Sequence, residues 1–306
     1  MRRFLGFIGS IIGSRHKIGI MALRERASRY AGTLGGALWV VARAPAFLLS
    51  GVSHRNVIWA LAVRSFQNRF IGASAGAVWT VVNPLATVLV YWLVFSLGFK
   101  AQGPNGIPFA IYFMTAFLPW SFVTEALSTS VGAVVANRHL VKKMVFPTEI
   151  LPMVEILAST FAHLILLGFT IVLLFVHGVV PGWWSLQIVY AYVCAVVLVL
   201  GLGWLFAAVN VFHRDVSQSL ATILNFWFWL TPIVWSMDML PERWRPLLNF
   251  NPAFHVVESY RAALLYNRPV WVDMNQLLAF WVLALGLAYC GAYVFRRLKP
   301  EFADML

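Results

Sequence analysis

LPWSFVTEALSTSVGAVVANRHLVKKMVFPTEILP, from Leu118 to Pro152, sets a short basic stretch between two apolar ones. The apolar parts extend on both sides into Phe109–Val134 and Ile150–Val176. A helix needs roughly 20 apolar residues to cross the hydrocarbon core of a bilayer, and both runs are long enough. Working outward, Val78–Leu97, Leu186–Phe212, Val216–Trp235 and Leu277–Phe295 qualify as well. The whole chain agrees: 61% of its residues are hydrophobic, 11% are charged, and mean hydropathy is +0.78. Such a composition excludes an ordinary soluble domain. A membrane barrel would alternate polar and apolar residues at period two, and Leu164–Val176 (LILLGFTIVLLFV) does not alternate. The expectation is an all-α integral membrane protein with six transmembrane helices in a domain spanning 78–295 and a cytoplasmic tail over 296–306.

Charge placement sets the expected orientation. Net charge is +12, and 18 of the 23 Lys and Arg fall in Met1–Ala77, Val135–Glu149, His213–Asp215 and Arg296–Leu306. Under the positive-inside rule these pieces are cytoplasmic, with both termini on that side. The basic excess suits anionic lipid headgroups at the inner face. Nucleic acid is not expected as a partner, since no soluble domain exists to carry a groove. Cys194 and Cys290 both lie mid-span, which argues against a disulfide framework. The start, MRRFLGFIGSIIGSRHK, has a short apolar run without a small-residue cleavage pattern.

Ahead of the spans, Asn56–Ala77 reads as an amphipathic helix lying in the membrane interface. Val63, Phe66, Phe70, Ala73 and Ala77 form its apolar stripe, and Arg64, Ser65, Gln67, Asn68 and Arg69 its polar face. Packing on a soluble partner is the competing reading of the same pattern. Residues 1–55 form an N-terminal extension. In it, Ala22–Trp39 aligns without gaps on Ala62–Trp79 with seven identities in 18 positions, a partial duplication. Thr33–Gly51 is barely long enough to span and contains Arg43, so Ala22–Gly51 is expected to be a second interfacial helix. Pro84, Pro119, Pro152 and Pro232 interrupt spans, which lipid tolerates only where protein or water satisfies the freed carbonyls. Gly201 and Gly203 permit close helix contact. The loop Ser236–Gln276 is longer than a turn needs and should hold two short helices that re-enter the outer leaflet.

The chain has no Gly-x-x-x-x-Gly-Lys-Ser/Thr loop, no His-Glu-x-x-His helix and no cysteine pair at zinc spacing. No catalytic residue and no metal site is therefore assigned. Glu125, Glu155 and His163 are ionisable groups in or near spans, where such groups are usually functional. The alternative is that the two acids pair with a basic neighbour. A proton ladder is not expected, since the fourth and sixth spans supply no ionisable groups to it. Aromatic residues are frequent, with 14 Trp, 24 Phe and 9 Tyr. Several lie away from the ends of spans: Tyr91, Tyr112, Phe117, Trp120, Phe122, Trp227 and Trp229. They are either packing and lipid-facing rings or the wall of a conduit, where flat apolar faces stack on the C–H faces of sugars without fixing them.

From about Asn56 to its C-terminus the chain resembles the permease subunit of ABC-2 type polysaccharide exporters, its O-antigen branch above all. The resemblance is carried by Arg64–Phe70 with Gly72, Gly76, Trp79 and Asn83-Pro84, and by Leu118-Pro119-Trp120. It continues in Asn137-x-x-Leu140-Val141-Lys142-Lys143, Phe146-Pro147, Ile150-Leu151-Pro152, and Asn251-Pro252 with Glu258-x-x-Arg261. The Val-Lys-Lys-x-x-Phe-Pro hinge and Met239-Leu240-Pro241 fit the O-antigen branch. The resemblance implies a homodimer in the bacterial inner membrane, docked on two copies of a separate ATPase that holds ATP and magnesium. No cofactor is implied on this chain. By the same resemblance Asn137–Val145 is a coupling helix, with Asn137, Arg138, Leu140, Lys142 and Lys143 contacting the ATPase. The three basic residues have positive-inside anchoring as an equal alternative. Arg64 and Arg69 would meet the diphosphate of a lipid-linked polysaccharide, since Arg forks onto phosphate oxygens. Asn251, Glu258 and Arg261 would belong to an outer gate around Pro241–Leu265. The N-terminal extension departs from the family pattern. Two other readings remain: a permease for a small molecule or another lipid, and a polytopic membrane glycosyl or lipid transferase.

Overall fold

The computed structural model describes residues 51, 53–69, 76–143 and 146–306. The second interfacial helix expected over Ala22–Gly51 and the duplicated segment within it fall, but for Gly51, outside the described residues, as do Phe70, Gly72, Ala73 and Val145. Every regular element among the described residues is helical. In chain order these are α1 (Arg55–Asn68), α2 (Trp79–Trp92), α3 (Phe109–Ala136), α4 (Arg138–Lys143), α5 (Ile150–Val176), α6 (Ile188–Phe212), α7 (Asp215–Leu230), α8 (Pro252–Leu264), α9 (Met274–Leu298) and α10 (Phe302–Met305).

Four helices are long and apolar enough to cross a membrane. They are α3, α5, α6 with the 3-10 turn before it (Trp183–Phe212), and α9 continued through α10 (Met274–Met305). α3 is apolar all round, the mark of a helix surrounded by others. Of its most apolar window 78% is buried, against 22% for α9, so α3 is the axis and α9 is peripheral. α3 packs on α5 and α6, and α6 packs in turn on α9.

The α6–α9 contact is made at glycines. A Cβ on Gly201 would lie 2.6 Å from the Ala288 nitrogen, and one on Gly291 would lie 2.1 Å from the Gly201 carbonyl oxygen. The obstacles are backbone, so neither helix can yield without parting from the other. Gly291→Val is expected to cost at least about 1–3 kcal/mol, read as a lowered thermal midpoint. Gly286→Ala on the same helix meets nothing within 4 Å and should leave the midpoint unchanged or raised.

Two expected spans come out differently. The first begins with a 3-10 turn at Gly76–Val78, runs as α2, and ends as a π-helical stretch over Leu93–Gly98. The fifth stops at Leu230, five residues short of the expected Trp235, because Thr231 turns extended and Pro232 has no N–H to continue a ladder. At 16 residues α7 is about 24 Å long, less than a ~30 Å hydrocarbon core. Thr231–Trp235 continues as irregular, largely buried backbone. The interfacial helix expected over Asn56–Ala77 is helical only to Asn68 among the described residues, and its apolar face packs on protein. Ile58 and Ala62 bury against Ile150, Val154 and Ala158, while Phe66 meets Phe161 edge-on at 5.4 Å. Of the two short helices expected in the loop after the fifth span, the second is α8. The first is a nine-residue 3-10 run, Glu242–Phe250, with Pro246 inside it.

Candidate functional site

At one end of the bundle α4 forms an elbow between α3 and α5. Asn137 leaves α3 with φ −100° and ψ 29°, and its side-chain amide donates back to the Ala133 carbonyl at 2.9 Å. Its own carbonyl accepts from the Leu140 N–H at 2.9 Å, which starts α4. Asn137 is therefore a pivot that closes one helix and opens the next. Arg138, His139 and Lys142 are exposed, and Leu140 is half-buried. The elbow is braced from below by α10, which packs on α4 and on the end of α6. Phe302 of α10 is fully buried against Phe295 and Phe212. Three further ties stiffen this end. Lys299 pairs with Glu149, the Trp204 indole donates to the Glu149 carbonyl at 3.0 Å, and Asn210 donates to the Val131 carbonyl at 3.1 Å. Asn210 is a lone amide in an apolar helix, and that was the sequence signal for its role.

The two carboxylates singled out in the sequence share one arginine. Arg69 Nη1 pairs with Glu125, while Nη2 reaches Glu155 at 3.5 Å and Ser159 Oγ at 3.2 Å. The Ser65 hydroxyl lies 2.9 and 3.0 Å from the two oxygens of Glu155, to which it donates. α1 and the turn after it are thus clasped to both α3 and α5. Arg64 is exposed on α1. Removing Arg69 leaves the half-buried Glu155 without its cation. A double-mutant cycle on Arg69→Ala and Glu155→Gln is expected to return a coupling of about 1–2 kcal/mol. Strict additivity of the two unfolding free energies would show that the pair does not matter.

The aromatic residues sort into four groups. Phe109, Phe113 and Phe117 stack at i, i+4 along one face of α3, with centroids 5.7 and 5.3 Å apart. Tyr91 of α2 stacks on Phe113 at 4.8 Å, and Trp120 meets Trp227 edge-on at 5.7 Å and Phe228 at 5.9 Å. Tyr91, Phe117, Trp120 and Trp227 are therefore brought together between α2, α3 and α7. Phe122 points elsewhere, to His163 and Tyr192. His163 in turn shares a 2.9 Å hydrogen bond with the Tyr260 hydroxyl. Tyr112 lies under Arg261 and donates to the Trp235 carbonyl at 3.2 Å. Trp229 is half exposed, in line with Phe226 and Ile223 on the open face of α7.

At the far end α8 is anchored rather than loose. Asn251 caps it by accepting from Ala253 N–H at 3.1 Å, accepts from the Trp227 indole at 2.7 Å and donates to Thr231 Oγ1 at 2.9 Å. Arg261 is completely buried. Its guanidinium donates to the carbonyls of Pro232 at 2.7 Å and Ile233 at 3.1 Å, pairs with Glu258 at 2.9 Å, and lies 3.7 Å over the Tyr112 ring. Those carbonyls belong to the irregular backbone after α7, so Arg261 supplies the satisfaction that lipid cannot. Of the three residues expected at an outer gate, Glu258 and Arg261 pair directly, while Asn251 bonds Trp227 and Thr231. Arg268, which no sequence motif singles out, reaches Glu258 at 3.7 Å. Among the described residues no group of three His, Cys, Asp or Glu gathers as a metal site.

Comparison with known proteins adds a lineage to this geometry. The chain is 27% identical over 227 residues to the O-antigen export system permease protein RfbA of Klebsiella pneumoniae, covering 73% of this chain and 85% of that one. Its likeness to the protein of the same name from Myxococcus xanthus is 26% over 227 residues, 74% of this chain and 85% of the relative. The polysialic acid transport protein KpsM of Escherichia coli is 24% identical over 215 residues, 68% of this chain and 81% of the relative. Residues 56–265, which run from the start of α1 through the end of α8, match the ABC-2 type transporter family, and the chain belongs to it.

Proposed function

We propose that this chain is the permease subunit of an ATP-driven exporter that moves a lipid-linked polysaccharide of the O-antigen type across the bacterial inner membrane. The observation that carries the reading is the family match over residues 56–265, which includes the α3–α4–α5 elbow, together with relatives named as O-antigen export permeases. Two copies of the chain work on two copies of a nucleotide-binding partner, which holds ATP and magnesium. The exposed apolar rows of α2 and the π-helical turn after it (Leu89, Val90, Leu93) and of α7 (Ile223, Phe226, Leu230) are the faces on which the second copy sits.

In this reading the chain crosses the membrane six times with both termini in the cytoplasm. α2 and α7 complete their crossings through the π-helical and irregular stretches that follow them. The 3-10 run Glu242–Phe250 and α8 are the re-entrant pair. ATP closes the partner dimer against α4, where Asn137, Arg138, Leu140, Lys142 and Lys143 form the contact. Because α4 joins α3 to α5, and Arg69 ties both to α1, a push on the elbow tilts the three helices as a unit. The rings on α3 are covered by α2 and α7 within one protomer, so tilting α3 against them opens the aromatic wall to the chain of sugars. Trp229 lies on the face where two copies meet. Arg64, exposed on α1, is placed to receive the lipid diphosphate, while Arg69 holds the clasp. Asn251, Glu258 and Arg261 fix the outer end against which that movement works.

The test is made in the bacterium that encodes the chain. Deleting it should leave lipid-linked polymer inside the cell and clear it from the surface, and re-expression should reverse both. Undiminished surface polymer after deletion contradicts the reading.

A further inference from the structure

A cavity of about 410 Å³ opens beside α8. Its size lies in the range of roughly 300–1,000 Å³ typical of small-molecule sites. Its walls come from four separate segments: Met237, the 3-10 run Glu242–Phe250, α8, and the stretch from Arg268 to Gln276. The rim is exposed at Glu242, Arg268 and Asp273, and the floor is buried at His255, Ser259 and Gln276.

We propose that this cavity binds one uncharged sugar unit of the exported glycan, an inference that rests on the polysaccharide reading above. The first support is charge. Glu242, Glu258 and Asp273 bring three carboxylates, and Arg245, Arg268 and Arg261, the last behind Glu258, bring three guanidiniums. The charges are interleaved, not separated into poles. Glu258 lies between Arg261 and Arg268, and Arg245 donates to the Leu240 carbonyl at 3.2 Å. Such a wall offers neither an anion nor a cation site, and it disfavours a zwitterionic headgroup, whose two charges need opposite poles.

The second support is unused hydrogen-bonding capacity. Gln276 is only 8% exposed, lines the cavity, and its side-chain Nε2 has no hydrogen-bond partner among the described residues. A buried amide donor without an acceptor is costly, and a ligand hydroxyl removes that cost. Asn249 and Ser259 add groups that both donate and accept, which is what a ring of vicinal hydroxyls requires. Phe254 and Val270 supply apolar surface for the C–H faces of a pyranose.

The full-length chain in phosphatidylcholine nanodiscs is titrated with methyl α-D-mannoside, methyl β-D-galactoside and methyl N-acetyl-β-D-glucosaminide, binding being read by saturation-transfer NMR. At least one glycoside should saturate with a Kd tighter than about 10 mM. Gln276→Leu should weaken it about tenfold, the effect of one lost buried hydrogen bond. Gln276→Glu, which keeps size and replaces the donor, should weaken it as well, so a folding defect in one variant does not decide the matter. Failure of all three glycosides, binding unchanged in both variants, or displacement of the glycoside by glycerophosphoethanolamine each overturns the proposal. Surface polymer measured in the same strain keeps the two ideas apart. If wild-type cells export and no glycoside binds, the site is wrong and the function stands.

Discussion

Leu140→Pro combined with Lys142→Glu reduces surface polysaccharide at least about 100-fold while leaving the chain in the membrane. The proline removes the N–H that bonds the Asn137 carbonyl at 2.9 Å and so takes away the first turn of α4. In a six-residue helix nothing downstream restores it, and proline in a helix interior costs about 3 kcal/mol. Lys142 is exposed, so reversing its charge disturbs no internal contact and acts on whatever docks there. Spans α3 and α5 begin and end outside the altered residues, which is why insertion survives. Surface polymer is quantified by immunoblot, and co-purification of the ATPase with the chain is measured in parallel. Both should fall together. The Lys142→Glu part alone should weaken co-purification more at low salt than at high, since exposed charges are screened over about 10 Å at 0.1 M.

Arg261→Ala has the largest expected effect on stability, at about 3–5 kcal/mol. The substitution leaves the carbonyls of Pro232 and Ile233 without donors in a buried stretch and removes the nearer cation from Glu258. It also strips the cation from the face of Tyr112. The expected outcome is a thermal midpoint lowered by many degrees and a poor yield of folded protein. Arg261→Lys should recover part of the loss, because an ammonium can reach Glu258 or one carbonyl but cannot fork across both. A wild-type midpoint in Arg261→Ala would mean that the irregular backbone after α7 is satisfied some other way.

Much of this fold is legible in the sequence because lipid leaves few options. α3, α5, α6 and α9 declare themselves by uninterrupted apolar length, and the basic elbow at Asn137–Lys143 stands out against them. What escapes one-dimensional reading is set by partners distant in the chain. The end of α7 depends on Pro232 locally and on Arg261 29 residues later, whose guanidinium makes a broken helix tolerable. The clasp of Arg69 joins residues 56 and 86 positions away, and no spacing rule reaches that far. Its local half was visible: two acids near span ends next to a basic helix. The aromatic residues show the same division. Phe109, Phe113 and Phe117 share a face by their four-residue spacing, while Phe122, expected beside Phe117, packs on His163 instead. That Tyr112 lies under Arg261 follows only from tertiary contact. The cavity beside α8 is built from four segments and has no sequence signature of its own.

The most direct test of the account places the chain and its ATPase in proteoliposomes with the elbow facing outward. Lipid-linked polymer is supplied outside, and the fraction that becomes protected from an added glycan-cleaving enzyme is followed with time. Protection should require ATP, the ATPase and an intact α4, and it should fall to background with Leu140→Pro and Lys142→Glu. Equal protection without ATP, without the ATPase, or with the elbow broken would contradict the claim that this chain exports polymer by receiving the ATPase stroke at α4.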